Sequence, residues 1–234
     1  MALQAPAPAA VKSAFEQHGF ALVEELVPPE QVDALRAEVD ALLAASHHRA
    51  GVRNALAASA TLRDLAASGA PATTARSLLG PQARPTKLTV FDKTAAANWK
   101  VPWHQDLTIS VRERRDAAGL GPWSVKDGVP HVQPPISVLQ QILAIRLHLD
   151  DTSAENGALL VLAGSHRFGR LSDARVARLR SEVPETVCGV RAGGAMLMSP
   201  LLLHASKLSS QPSRRRVLHF EYSAAPLPAG LEWA

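Results

Sequence analysis

The sequence predicts an α+β fold, with a mainly helical flank over residues 1–85 followed by a sandwich or jelly-roll core over residues 86–225. Three observations carry this. Apolar residues recur at helical spacing in the first third of the chain, and from Lys87 onward they regroup into short runs of Leu, Val and Ile separated by Gly, Pro, Asn and Asp. The chain has 234 residues, 47% of them apolar, enough to bury one sizeable core, so a single domain is expected.

In chain order, residues 11–18 predict a helix stopped by Gly19, and residues 20–23 a short strand. Pro28 and Pro29 open a longer helix in which Val32, Leu35, Val39 and Leu42 lie on one face. Residues 54–79 are rich in Ala and Leu and predict a third helical region, broken near Gly69–Pro71 and ended by Gly80-Pro81. The Ala/Pro bias of residues 2–10 predicts a short mobile tail.

Strands are predicted at 88–91, 142–149, 158–163, 186–191, 195–198 and 216–222. One helix interrupts them over 172–182, where Ser172 can cap and Val176, Leu179 and Val183 form an apolar face. Residues 116–138, punctuated by Gly119, Gly121, Pro122 and Gly128, read as one extended loop of the kind that covers a binding site.

Composition excludes several classes of function. Charged residues are 20% and mean hydropathy is near zero, so the chain is neither a charged disordered polymer nor membrane-spanning. A net charge of +4 from scattered basic residues does not point to nucleic acid. The lone Cys188 excludes an internal disulfide, a thiolate zinc cluster and a CxxC redox pair, and reads as a small core residue. The first 20 residues lack a basic segment followed by a continuous apolar run, so no secretory signal and a cytoplasmic location are expected. The oligomeric state is not legible.

Chemistry concentrates in Trp103-His104-Gln105-Asp106. On extended backbone His104 and Asp106 project from one face and can grip one ion, while Gln105 points away into the structure. An HxD pair alone also arises as a surface hydrogen-bonding pair. His204, 98 residues beyond Asp106, offers a third ligand. Two histidines and a carboxylate on one octahedral face leave three positions open, which is how non-haem Fe(II) oxygenases hold a cosubstrate together with O2. Arg215 lies 11 residues after His204, and Ser206 two after it. A guanidinium with a hydroxyl beside it suits a remote carboxylate, whereas Arg214, and Arg216 with it, reads as part of a solvated basic loop.

Three ordered segments, FDKTAAANWKVPWHQD, LDDTSAENGALLVLAGSHRFGRL and HASKLSSQPSRRRVLHFEY, resemble the phytanoyl-CoA dioxygenase (PhyH) family of Fe(II)/2-oxoglutarate-dependent oxygenases, and the resemblance spans most of the chain. It implies a double-stranded β-helix of jelly-roll, cupin-like architecture. It further implies Fe(II) on His104, Asp106 and His204, with 2-oxoglutarate chelating the metal and its distal carboxylate paired with Arg215 and Ser206. The implied chemistry is oxidative decarboxylation of 2-oxoglutarate by O2, coupled to hydroxylation of an unactivated C–H bond of a small polar metabolite. Halogenating relatives resemble this pattern with a small residue in place of the carboxylate ligand, and Asp106 is present here, which favours hydroxylation.

Trp123, 17 residues after Asp106, resembles a family tryptophan beside the cosubstrate and is otherwise a core or lid anchor. Arg146, within an apolar strand, is a substrate or cosubstrate contact or the partner of a buried carboxylate. His148 shares its strand face, and His131 sits where a lid would cover a substrate. His166 reads as a turn residue orienting the barrel, while His18, His47, His48 and His219 carry no signal. The same site also admits desaturation, epimerisation or cyclisation. Two other classes remain open: a jelly roll that binds a small ligand without turnover, and a cupin-type metal hydrolase or isomerase, which would not need Arg215 and Ser206.

Overall fold

The computed structural model describes residues 8–46, 51–211 and 213–234, so His47, His48 and most of the Ala/Pro-rich tail lie outside the described residues. The first helix, α1 (Pro8–His18), begins within that tail and is stopped where expected, at Gly19 with φ +80°. Strand β1 (Phe20–Val23) and helix α2 (Pro29–Ala45) follow, then a two-residue strand β2 (Gly51–Val52). The Ala/Leu-rich region divides into α3 (Ala55–Ala58), α4 (Ala60–Ser68) and α5 (Ala70–Leu79). Gly69 makes the expected break, and Ser59 makes a second by turning extended and accepting the Leu62 amide at 3.0 Å as a cap.

The strands of the second part are β3 (Arg84–Lys93), β4 (Val101–His104), β5 (Ile109–Ser110), β6 (Trp123–Lys126) and β7 (Val129–Val132). After the short helix α6 (Ile136–Leu139) come β8 (Ile142–His148), β9 (Leu159–Val161), helix α7 (Asp173–Glu182), β10 (Thr186–Cys188), β11 (Ala195–Met198), β12 (His204–Ser206) and β13 (Arg215–Ser223). They form a six-stranded sheet β1-β11-β8-β13-β3-β2, a four-stranded sheet β10-β9-β12-β4 and a three-stranded sheet β5-β7-β6. Every strand pair is antiparallel, as a jelly roll requires. No described helix is long and apolar enough to cross a membrane.

The expectation of one extended loop over 116–138 is corrected. That segment contains the hairpin β6–β7 and helix α6. Lys126 pairs with Val129 across Asp127-Gly128, whose φ values of +49° and +78° are those of a tight two-residue hairpin turn. An Asp-Gly pair is a hairpin signal that the surrounding prolines and glycines obscured.

Alternation along the large sheet decides what faces where. Leu88 and Val90 of β3, Leu143, Ile145 and Leu147 of β8, and Leu218, Phe220 and Tyr222 of β13 join Val32, Leu35 and Val39 of α2 and Leu62 of α4 in the largest buried cluster. Tyr222 Oη satisfies itself on the Ala66 carbonyl at 2.9 Å. Each such side chain contributes on the order of 1.5–3 kcal/mol by leaving water, so the helical flank is held by one sheet face. The residues of opposite parity, Lys87, Thr89 and Phe91 on β3, Arg146 on β8, and Arg215, His219 and Glu221 on β13, line a cavity of about 260 Å³. Across it stand Val101, His104, Leu159, His204 and Ser206 from the smaller sheet.

Candidate metal centre

His204 is the direct cross-strand partner of His104, and a bulge between His204 and Ser206 shifts the register beyond it. Asp106 follows β4 and is anchored by its backbone amide on the Pro200 carbonyl at 2.8 Å. The three residues thus meet without any long loop between them. One ligating atom from each lies within 4.8 Å of the other two. Asp106 Oδ1 is 3.5 Å from His104 Nε2, and Oδ2 is 3.6 Å from His204 Nε2.

The histidine tautomers follow from their partners. His104 Nδ1 is 2.9 Å from the Pro102 carbonyl and His204 Nδ1 is 2.8 Å from that of Leu202. A carbonyl only accepts, so both Nδ1 atoms carry hydrogen and both Nε2 lone pairs face Asp106. Burial pushes His204 down to about 4, against the pull of Asp106, and so keeps it neutral. Burial opposes ionisation of Asp106 too, yet His204, His104 and His219 hold its carboxyl well below the usual range. Burial also works against a charged His104, but the Asp106 contact prevails and raises it. Two neutral imidazole nitrogens and one carboxylate are a donor set that fits a divalent iron.

The three consecutive arginines are treated differently by the fold. Arg214 pairs with Asp92 and Asp40, and Arg216 with Asp150 and Asp40, on the side of α2. Arg215, 5% exposed, points into the cavity, and its buried Nε and Nη1 have no partner among the described residues. Burial pushes it down to about 10. Lys93, opposite Arg215 on β3 and pushed down to about 8 by burial and then by Arg215, adds positive charge at the same end while donating to the Lys207 carbonyl at 2.9 Å. Ser206 lines the cavity as well, but its hydroxyl donates to the Gly157 carbonyl at 2.9 Å.

The sequence profile of the phytanoyl-CoA dioxygenase (PhyH) family matches residues 15–217. The chain belongs to this family. Among the curated proteins none matches it. Solved structures with the same fold include AviO1 from Streptomyces viridochromogenes Tue57, 24% identical over 97% of this chain and 100% of that one, with a TM-score of 0.70. EctD from S. alaskensis, crystallised with 2-oxoglutarate and 5-hydroxyectoine, is 21% identical over 95% of this chain and 78% of its own, at a TM-score of 0.73. The epimerase SnoN, in complex with Fe3+, alpha ketoglutarate and nogalamycin RO, is 19% identical over 95% and 91%, at 0.70. At these identities the likeness establishes the jelly-roll fold, and family membership makes the chain a 2-oxoglutarate-dependent non-haem iron oxygenase.

Trp123, expected beside the cosubstrate, is corrected: it packs with Leu107, Leu120, Ile109 and Val132 in a separate apolar cluster under the small sheet and does not line the cavity. His131 is likewise corrected, being 3% exposed in β7 with Nδ1 donating to the Val129 carbonyl at 3.0 Å, outside the cavity wall. His148 is on the expected strand face, but it is buried and shares a 2.5 Å hydrogen bond with Thr152 Oγ1, so it does not reach the cavity either. Arg146 does. Gln105 cross-links the structure, donating to the Gly169 and Leu201 carbonyls and accepting from the Leu171 amide.

Sequence reasoning missed His219, Lys87, Glu221, Thr108 and Lys126, all of them in the cavity wall. The first and third could have been found by counting in twos from Arg215 along β13, and Lys87 from its pairing with Glu221 across the ladder. Lys126 reaches Thr108 Oγ1 at 3.3 Å from the hairpin that the loop reading dissolved.

Proposed function

We propose that this single-domain protein is an Fe(II)- and 2-oxoglutarate-dependent dioxygenase that hydroxylates an unactivated C–H bond of a small polar metabolite, with His104, Asp106 and His204 as the iron ligands and Arg215 as the anchor of the cosubstrate's distal carboxylate. One observation carries the reading. Arg215 is buried in the cavity that the three converging ligands also line, with two guanidinium nitrogens unpartnered among the described residues, while Arg214 and Arg216 are both paired with carboxylates. A buried guanidinium without an anion is costly, and a bidentate carboxylate is the group that matches its fork.

Iron with 2-oxoglutarate supplies the oxidising power when bound. The chain's own part is positioning. Pro102 and Leu202 carbonyls fix the two imidazoles with Nε2 inward, and Asp106 contributes the charge. Arg215 orients the cosubstrate from the far end, and Ser206 can join it by exchanging the Gly157 carbonyl for the carboxylate. The apolar wall, Phe91, Val101 and Leu159, limits water around the reacting C–H bond. Asp106 occupies the third protein position, which favours oxygen transfer over halogenation.

The test is succinate release from 2-oxoglutarate with Fe(II), ascorbate and a pooled metabolite library. The expected result is substrate-stimulated succinate, with a product heavier by one oxygen and free of chlorine in saturating chloride. A product lighter by two hydrogens, or isomeric with its substrate, would assign the same site to desaturation or cyclisation, or to epimerisation. Failure to bind 2-oxoglutarate at all would leave a ligand-binding jelly roll.

A further inference from the structure

The cavity holds a second buried guanidinium. Arg146, 7% exposed, stands mid-way along β8 opposite His219. Its Nη1 lies 3.0 Å from His219 Nδ1. Arg146 can only donate, so His219 accepts at Nδ1 and turns Nε2–H toward Glu221 Oε1, 3.7 Å away, where Lys87 Nζ closes the row at 2.8 Å. The guanidinium carbon lies over the Phe91 ring, 5.4 Å from its centroid.

These contacts use one nitrogen and leave an edge. Among the described residues Arg146 Nε is buried without a partner, and Nη1 alone of the three guanidinium nitrogens makes a hydrogen bond. No described carboxylate lies within ion-pair distance of Arg146, so the expectation that it partners a buried acid of the chain is not met. The Nε/Nη2 edge is the two-pronged one, whose spacing matches the two oxygens of a carboxylate.

Given the cosubstrate assigned under the proposed function, on which this inference rests, both carboxylates of 2-oxoglutarate are already spoken for, one at Arg215 and one at the metal. Arg146 and Arg215 enter the same cavity from different strands, the Arg146 guanidinium lying over Phe91, whose partner on β13 is Val217, two residues beyond Arg215. We propose that Arg146 is the specificity residue of the site, and that its open edge binds a carboxylate carried by the substrate itself. The substrate class is then a small carboxylic acid, sized to share a cavity of about 260 Å³ with the cosubstrate. Its charge is met at Arg146 while its body extends toward Lys87 and Glu221.

The experiment is calorimetric titration of the anaerobic Fe(II)- and 2-oxoglutarate-loaded protein with a series of linear C3 to C8 carboxylates, the matching carboxamides and inorganic phosphate, with the 2-oxoglutarate Kd measured separately. Wild type is expected to bind at least one carboxylate ten times more tightly than its amide and than phosphate. Arg146→Gln is expected to lose that affinity at least tenfold while the 2-oxoglutarate Kd changes less than threefold. Arg215→Gln should show the reverse. Arg146→Lys, which keeps the charge without the fork, should weaken the carboxylate at least threefold and decides the matter if Arg146→Gln is misfolded by circular dichroism. The inference is overturned by equal binding of acid and amide, by tighter binding of phosphate, by no carboxylate binding, or by unchanged binding in both Arg146 variants. It is also overturned if Arg146→Gln weakens 2-oxoglutarate as much as Arg215→Gln does, which would give Arg146 to the cosubstrate. Wild type that fails to bind 2-oxoglutarate with Fe(II) would instead overturn the proposed function, and this inference with it.

Discussion

His104 and His204 face each other across adjacent strands, their ring centroids 4.2 Å apart, although 100 residues separate them in the chain. The distance between the two Nε2 atoms is therefore set by the strand spacing of the small sheet, about 4.8 Å, and not by any loop. Sheet pairing and the metal centre are one construction. His104→Ala, Asp106→Ala and His204→Ala should each hold less than about a tenth of the Fe(II) that wild type retains after anaerobic loading and gel filtration, read by elemental analysis. Full retention in any one of them would remove that residue from the ligand set.

Arg215→Lys should raise the Kd for 2-oxoglutarate by about tenfold or more, ~1.4 kcal/mol, because a point charge replaces a fork. Arg214→Ala should leave that Kd within about twofold. Arg214 is 41% exposed and its pairs with Asp92 and Asp40 are partly in water, so its loss should cost no more than ~1 kcal/mol of stability. Equilibrium dialysis of the metal-loaded protein separates the two, and an unchanged Kd in Arg215→Lys would move the anchor elsewhere.

Acid should destabilise the fold through His148. Burial first, then the charges of Arg146 and Arg215, hold its folded-state value well below the ordinary 6.5. Below pH 6.5 the unfolded chain takes up a proton that the folded chain refuses, so stability is complete above that pH and falls as the pH drops. The slope from this one group is about 1.4 kcal/mol per pH unit. About 1.5 units of the interval from pH 7 to pH 5 lie below 6.5, so urea unfolding of the metal-free protein at those two pH values should show a stability loss that is smaller in His148→Gln by about 2 kcal/mol. An identical loss in the variant would rule His148 out as the cause.

How much of this was legible beforehand depended on period and on chain distance. Helices α1, α2 and α7 and strands β1 and β11 sit where their apolar spacing and caps put them. Local signals sufficed there. Strands β4 and β12 carry too few apolar residues to announce themselves, because their side chains line a polar cavity, and they surfaced only through the HxD pair and His204. The misplacement of Trp123 and His131 came from reading a hairpin as a loop: residues expected on a covering loop instead belong to a small sheet, His131 buried and Trp123 partly buried. His219 gave no signal because its meaning lies in the Arg146 beside it on β8, a neighbour 73 residues distant in the chain.

Gly19 joins α1 to β1 at φ +80°, where its carbonyl accepts the Ser199 amide at 2.9 Å. A Cβ added there would sit 2.4 Å from His166 Nδ1, backed by the imidazole ring. Gly19→Ala should therefore cost about 1–3 kcal/mol, from the backbone conformation and from the clash together. The double variant with His166→Ala should recover the clash and keep the backbone cost, so that the two substitutions fail to add. Thermal unfolding of the four proteins measures both parts, and strict additivity would show that the imidazole is not in the way.

Residues 214, 215 and 216 are chemically identical, yet Arg214 and Arg216 are held by carboxylates on the side of α2 while Arg215 enters the cavity. The ladder enforces that choice: Arg215 stands opposite Lys93 and Arg216 opposite Asp92 on β3, while Leu218, Phe220 and Tyr222 of the same strand are buried on the other face. A slip of one residue against β3 and β8 would drive a charged pair into the cavity and pull three core side chains out with it. A graft, shuffle or insertion between β12 and β13 is therefore absorbed in the connection and leaves the three arginines facing as they do.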